Sequence, residues 1–462
     1  MADHYSPERR TALVLSGTGA DGAYHAGVLR ALHETGIKID VIGGRGIGAM
    51  GAVLHAIDGA APLWEPGGVW RTASVARLYR WRWPFRWLMG LVAALLAVLA
   101  VPLGALVIAA ALYPIALGIG MLGLAQGADL ARGLLEAVGQ AFGAAGLPTW
   151  IPRLVLGLAA AGVLVLGLGV LVERRRQRIR RTSAAPALWS LVGAPLEAGG
   201  AVRAATDALW GILKGGAALR APDARDLGRR YADLLTDNLG HPGFRELLVV
   251  AHDLDAQRDV VFGLVREPYR KALFAATTAT SARRAEAYDL AGVAREHLVD
   301  ALAAALVLPG VCQPRLVTFA AETFWRGESH RLSDRTASLG RLVEETAAVG
   351  AEQLIVVSAA PEPPAPHALR PTRGDALGQV GEHLASAESA ALSDAIRHHQ
   401  HRFQGTYVIR PSHNPVRPLD LAGAFDERSD RTHSIEELME RGYEDAYRQF
   451  IEPMLGDSGE RM

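Results

Sequence analysis

The sequence predicts an α/β fold whose central, mostly parallel sheet is interrupted by a helical insertion built to cross a membrane. Short, wholly apolar, β-branched runs alternate with helical patterns near the start of the chain and return in its second half. The first two runs and their helices fall within about 50 residues, which is a βαβ beginning. Between these early strands and the later ones lie two long apolar stretches, the first of them free of charge.

Residues 11–15 (T-A-L-V-L) form the first strand, apolar on both faces as a buried parallel strand must be. The strand enters S-G-T-G-A-D-G and then a helix over residues 23–35, closed by Gly36 as a C-cap. A second strand, residues 37–42, drives into Gly43, Gly44, Gly46 and Gly48 and leaves as the apolar helix 49–57. A strand turning into a helix through alternating glycines has the form of a nucleophile elbow, G-x-S-x-G. Its central residue here is Gly46. The turn is present and the nucleophile is not.

Near Arg71 the composition changes. Arg71, Arg77, Arg80, Arg82 and Arg86 interleave with Trp81, Trp83, Phe85 and Trp87. A run of about 40 residues from Leu88 then carries no charge, ample for a span of about 20. A second apolar run, residues 154–172, stops abruptly at E-R-R-R-Q-R-I-R-R. Arginines flank both runs on their outer sides, an aromatic belt precedes the first, and Trp150 marks the opposite interface. The stretch between, residues 129–148, reads as an amphipathic or loop segment, and Pro102 and Pro114 are candidate kinks in the first span. Three segments follow from this: 1–75, an insertion of two helices over 76–181, and 182–462.

After the insertion, residues 184–238 read as mixed helix, with Val202, Ala205, Leu209 and Ile212 on one face, suited to a membrane surface or a packed lid. Strands return at 246–251 and 259–264, a helix covers 290–306, and further strands cover 353–358 and 406–410. Residues 361–374, rich in proline, read as a loop. The last helix, 434–454, opens with a capping box in which Ser434 caps and Glu437 reaches back.

Composition narrows the function. Net charge is zero, which argues against a basic binder of nucleic acid. The single cysteine, Cys312, excludes an intramolecular disulfide or thiolate metal cluster; no cofactor or metal is expected. The first ten residues lead into a strand and not an apolar leader, so no signal peptide is expected. Gly17, Gly19 and Gly22 also fit G-x-G-x-x-G, with Asp40 near a ribose-binding position. In a dinucleotide fold that acid ends its strand, whereas here the strand continues past Asp40 to a second glycine turn.

Taken together, A-Y-H-A-G-V-L-R-A-L after the first glycine loop, the elbow, G-A-E-Q-L-I-V-V-S at 350–358, A-H-D-L at 251–254, A-L-V-L-P-G-V-C-Q-P at 305–314 and G-Y-E-D-A-Y at 442–447 resemble the patatin-like phospholipase family. The resemblance is close over residues 11–60, looser over 240–450, and absent from the insertion. It implies a three-layer sandwich and hydrolysis of lipid acyl esters by a Ser–Asp dyad, with loop amides holding the oxyanion. Asp334 in S-D-R-T matches the family aspartate, and Gly17, Gly19 and Gly22 match the oxyanion loop. Thr18 stands where glycine is usual, Asp21 where a cation is usual, and Gly46 where the serine belongs; Gly44, Arg45 and Gly48 complete the elbow. The expectation is a membrane-anchored relative impaired in ester hydrolysis, with membrane lipids as partners and an oligomer or protein partner open. It has two spans and a cytoplasmic soluble domain. An active hydrolase using Ser16 or Thr18, and a nucleotide-binding membrane protein, are the alternatives.

Overall fold

The computed structural model describes residues 5–57, 61–123, 125–180, 188, 192–215, 220–274, 281–363 and 375–459. The chain divides into two compact units, Met1–Arg80 with Leu196–Met462, and Trp81–Pro195.

The larger unit is built on a sheet with nine strands among the described residues. Strand β1 (Thr11–Gly17) precedes α1 (Asp21–Glu34), and β2 (Val41–Gly46) precedes α2 (Gly48–His55). The chain re-enters the unit through α3 (Gly199–Lys214) and α4 (Ala224–Asn238). The hairpin β3 (Glu246–Asp253) and β4 (Arg258–Leu264), then β5 (Ala287–Asp289) and α5 (Leu298–Ala305), come next. They are followed by β6 (Arg315–Thr318), β7 (Ser329–Ser333), α6 (Ser338–Ala348), β8 (Gln353–Ser358), α7 (Ala376–His399), β9 (Gly405–Ile409) and α8 (Ile435–Ala446). The main path runs β9-β8-β1-β2-β3-β4-β5, parallel except between β3 and β4, while β7 pairs with β3 and β6 at the margin. Val14, Val41, Leu248 and Val356 pack beneath Leu339, Leu342 and Val343 of α6; on the other face Leu15 meets α1 and α2. Helices on both faces are what an apolar parallel sheet requires.

The second strand begins later than its sequence suggests, at Val41, and runs through the glycines to Gly46. Asp40 fixes that start: its amide donates to the Thr11 carbonyl at 2.9 Å, and its carboxylate accepts from the Thr11 amide at 2.9 Å. The glycines lie in the strand because the neighbouring layers press on it. A Cβ on Gly43 would meet Leu342 at 2.9 Å, and one on Gly44 would meet the Gly48 carbonyl at 2.4 Å. The expected helix at 290–306 is shorter, a 3₁₀ turn at Arg295–His297 followed by α5. Ala201, Ala205 and Leu209 of α3 are buried within this unit, so that face is packed rather than laid on a membrane. Ser434 caps α8 by accepting from the Glu437 amide at 3.1 Å, but the Glu437 carboxylate turns to His433 Nδ1 at 2.7 Å. Of the proline-rich segment, 364–374 lie outside the described residues, as do 181–187, 189–191 and 216–219 of the mixed helical region.

The smaller unit holds α9 (Trp83–Met121), α10 (Ala125–Ala141) and α11 (Leu147–Arg180). Two of its helices are long and apolar enough to cross a membrane, and their apolar surface is exposed. Helix α9 runs through both Pro102 and Pro114. The intervening segment is helical and amphipathic: Gly127, Ala131, Leu134 and Val138 form its covered stripe, while Asp129, Arg132 and Glu136 face out. Arg82, just before α9, reaches Glu173 near the end of α11 at 2.8 Å, and both are buried. The pair joins the start of α9 to the last part of α11.

Helices α1 and α8 pack backbone to backbone through two glycines. A Cβ on Gly27 would lie 1.8 Å from the Met439 carbonyl, and one on Gly442 would lie 2.2 Å from the Tyr24 carbonyl. Gly27→Ala gains about 1 kcal/mol of helix propensity and is nevertheless expected to lose about 1–3 kcal/mol net, because overpacking forces the helices apart. Urea unfolding of the detergent-solubilised protein measures this, and a stabilised variant contradicts it.

Candidate functional site

The C-terminal ends of β1 and β2 meet the loop after β7, bringing together residues distant in sequence. Gly46 closes β2 with φ at +56°, and the Ile47 amide donates to the Gly17 carbonyl at 2.9 Å. A Cβ at Gly46 would lie 3.1 Å from Asp334 Oδ2 but only 2.1 Å from the Gly17 carbonyl oxygen. The position of the absent side chain thus faces Asp334. The space for it is occupied by backbone.

Arg45 fills the site. Its guanidinium is fully buried, and Nε donates to Asp334 Oδ1 at 3.0 Å while Nη2 donates to Asp334 Oδ2. Nη1 donates to both oxygens of Glu388, at 2.6 and 2.5 Å, and to Ser16 Oγ at 3.2 Å. Burial works against the charged guanidinium, but Asp334 and Glu388 outweigh it and raise its pKa. Burial pushes Asp334 above the usual carboxylate range, and Arg45 offsets this only in part. Glu388 also accepts from Thr18 Oγ1 at 2.7 Å and Ser16 Oγ at 3.3 Å. Both nearby hydroxyls therefore end on a carboxylate that Arg45 already holds.

The glycine loop is filled in the same way. The Thr18 amide donates to Asp21 Oδ2 at 2.7 Å, and the Ala20 amide to the Pro418 carbonyl at 2.8 Å. Gly19 has φ at +59°, and a Cβ there would fall 1.9 Å from the Pro418 oxygen. Gly17 has Asp21 and His25 against it, Gly22 has the Trp70 ring, and Gly48, opening α2, has the Leu15 carbonyl. Two amides that could hold an oxyanion or a phosphate, those of Thr18 and Ala20, are thus bonded within the protein. Burial, then Glu388, push Asp21 up to about 8, so it is largely neutral at pH 7. The sequence suggests an Asp21 that repels a developing anion; in the structure it instead occupies the amide that would receive one. His25, held neutral by burial with its pKa at about 4, places Nε2 3.1 Å from the Ser16 carbonyl. That nitrogen must carry the proton, since a carbonyl only accepts.

Sequence reasoning missed Glu388 and gave Arg45 no role beyond the elbow. Glu388 did leave a signal: with Leu384, Leu392 and Ala395 it forms the buried stripe of α7, so an acid sits at an apolar position. Asp40, the proposed ribose acid, is used by the Thr11 amide and lies 3.5 Å from Lys38 Nζ.

The family model for patatin-like phospholipases matches residues 13–132. Lysophospholipase nte1 of Emericella nidulans is 40% identical over 74 residues, 14% of this chain and 5% of that protein. The patatin-like phospholipase domain-containing protein ZK370.4 of Caenorhabditis elegans is 44% identical over 68 residues, 13% and 5% of the respective chains. The matched stretches thus span about 5% of the length of these curated relatives. Among solved structures, VipD from Legionella pneumophila aligns over 98% of this chain and 67% of its own at 14% identity; its TM-score of 0.29 supports no argument. Through residues 13–132 the chain is a relative of the patatin-like phospholipases.

Asp21 has a pH signature. An unfolded aspartate loses its proton near 3.8, and the folded one near 8, so between these values only the folded state holds it. Stability must fall as pH rises through that window. His25 has the opposite sign from about 4 up to its unfolded value of 6.5, so the wild-type curve mixes both. The difference between Asp21→Asn and wild type isolates Asp21. The variant's advantage should grow by about 1.4 kcal/mol per pH unit across the window and level off above it. A pH-independent difference in denaturant unfolding excludes the neutral buried acid.

Proposed function

We propose that the chain is a membrane-anchored patatin-like protein that binds lipid, or a partner at the lipid surface, without hydrolysing esters. One observation carries this reading: where the dyad would stand, Gly46 faces Asp334 with no side chain, and Arg45 holds both oxygens of Asp334. With both of its oxygens bonded to a buried guanidinium, Asp334 is poorly disposed to serve as general base toward a nucleophile or water. Ser16 and Thr18 are poor substitutes, because Glu388, the only acid they donate to among the described residues, is held by the same arginine. A nucleotide reading is disfavoured by the Pro418 carbonyl, which fills the loop a pyrophosphate needs.

Assays of purified protein on lysophospholipid, phospholipid and p-nitrophenyl ester substrates should show no turnover above the Asp334→Asn variant. Activity that Asp334→Asn abolishes would restore the hydrolase reading. Gly46→Ser alone should also remain inactive, since its Cβ overlaps the Gly17 carbonyl, Arg45 retains Asp334, and each missing oxyanion donor costs about a hundredfold or more in rate. Robust ester turnover by that single variant contradicts this account.

The same reading places two spans in the bilayer, α9 and α11, with the sheet unit on the cytoplasmic side. Strands from both sides of the insertion pair in one sheet, as β1 with β8 and β2 with β3, so the insertion crosses an even number of times. The Arg82–Glu173 pair supports the return, and arginines at both outer ends favour the cytoplasm. In a Cys312→Ser background, a cysteine at Ala137 should label from outside the cell and one at Ser386 should be protected. Protection at both sites means a hairpin that dips and returns; labelling at Ser386 overturns the topology.

A further inference from the structure

Beside the closed site lies a cleft of about 250 Å³, between the end of β8, the middle of α7 and residues 414–418. Asp21 and Glu388 both line it, 4% and 1% exposed. The two acids differ in what they hold. Glu388 accepts from Arg45, Thr18 and Ser16, so both of its oxygens are taken. Asp21 accepts from the Thr18 amide with Oδ2, while Oδ1 makes no hydrogen bond among the described residues. A buried carboxyl oxygen without a partner, on the wall of a cleft, is a place for a donor.

Charge specifies that donor. Arg45 is the only cation paired with Asp334 and Glu388 among the described residues, so these three side chains carry one net negative charge. An ionised Asp21 would raise this to two, and burial with Glu388 keeps it protonated up to about pH 8. The other titratable groups near Asp21, His25 and Tyr79, are both neutral by burial. Arg417 and Glu382, also on the cleft wall, pair with each other at 2.8 Å. A cation entering the cleft would replace the proton on Asp21 and bring the charge the cluster lacks. No aromatic ring lines the cleft among the described residues, so nothing there suits a quaternary ammonium. An ammonium with N–H donors suits the unbonded oxygen of Asp21.

We propose that this cleft binds a primary ammonium group, carried by an aminoethyl lipid headgroup or by a free alkylamine. Ala359, Ala360, Val416 and Pro418 give the adjoining carbons a small apolar wall. The headgroup source rests on the lipid-binding reading above; the ammonium site does not. Because the ammonium displaces a proton from Asp21, binding tightens as pH rises toward 8 and levels off beyond it.

The test uses the full chain. In detergent, millimolar ethanolamine and propylamine should raise the melting temperature saturably, while tetramethylammonium and sodium chloride at equal ionic strength should not. Between pH 6 and pH 8 the affinity for ethanolamine should rise about tenfold per unit. Nanodiscs containing phosphatidylethanolamine, against phosphatidylcholine alone, read the lipid source by the same shift. A response to the free amines with none to the headgroup assigns a soluble ligand; a response to the headgroup assigns the lipid. Asp21→Asn should weaken binding about tenfold or more and remove its pH dependence. Ala385→Phe, which fills the cleft from α7 and leaves every acid in place, should abolish binding. No saturable response to any primary amine, an equal response to tetramethylammonium, or affinity unchanged in both variants overturns the proposal. Such a failure leaves the lipid-binding reading to its own assays.

Discussion

The interaction on which the site depends is the buried fork of Arg45 between Asp334 and Glu388. It ties the end of β2 to the loop after β7 and to the middle of α7. Burying a guanidinium is costly, and only bidentate geometry on two carboxylates compensates for its lost hydration. The converse also holds. Without Arg45, two acids would remain buried beside each other, and breaking such a group costs about 3–5 kcal/mol. Asp21, close to Glu388, avoids adding a further charge by keeping its proton.

The same network explains why the elbow keeps its shape without a nucleophile. The turn needs glycine where backbone approaches backbone: Gly44 against the next helix, Gly46 at positive φ against Gly17, and Gly48 against Leu15. These are packing demands of the β-turn-α join. The residue before the turn's centre, by contrast, points into the site. The arginine there donates to both oxygens of Asp334. Two of the loop amides, those of Thr18 and Ala20, donate to Asp21 and to the Pro418 carbonyl.

The smaller unit differs in its surface. Its long helices expose leucine, valine and isoleucine, and two of them are long and apolar enough to cross a membrane. Within it Arg82 and Glu173 are charged yet buried, and they find each other. A pair at that position ties the two ends of the insertion.

Much of this was legible in the sequence. Apolar β-branched runs specify buried parallel strands whatever surrounds them, and uncharged stretches of such length specify lipid-compatible helices. The likeness in the glycine loop, the elbow and S-D-R-T placed Asp334 and Gly46 in one site before any distance was known. What the sequence could not carry was the direction of side chains. Arg45 looked like one residue of an elbow, and Glu388 like one acid in a long helix. That the first turns inward to meet the second, across more than 300 residues, follows from sheet order and helix packing. Asp21 shows the same limit. Its charge is a property of burial and of Glu388 nearby, so only the tertiary structure decides that it is neutral and that it fills the loop amide.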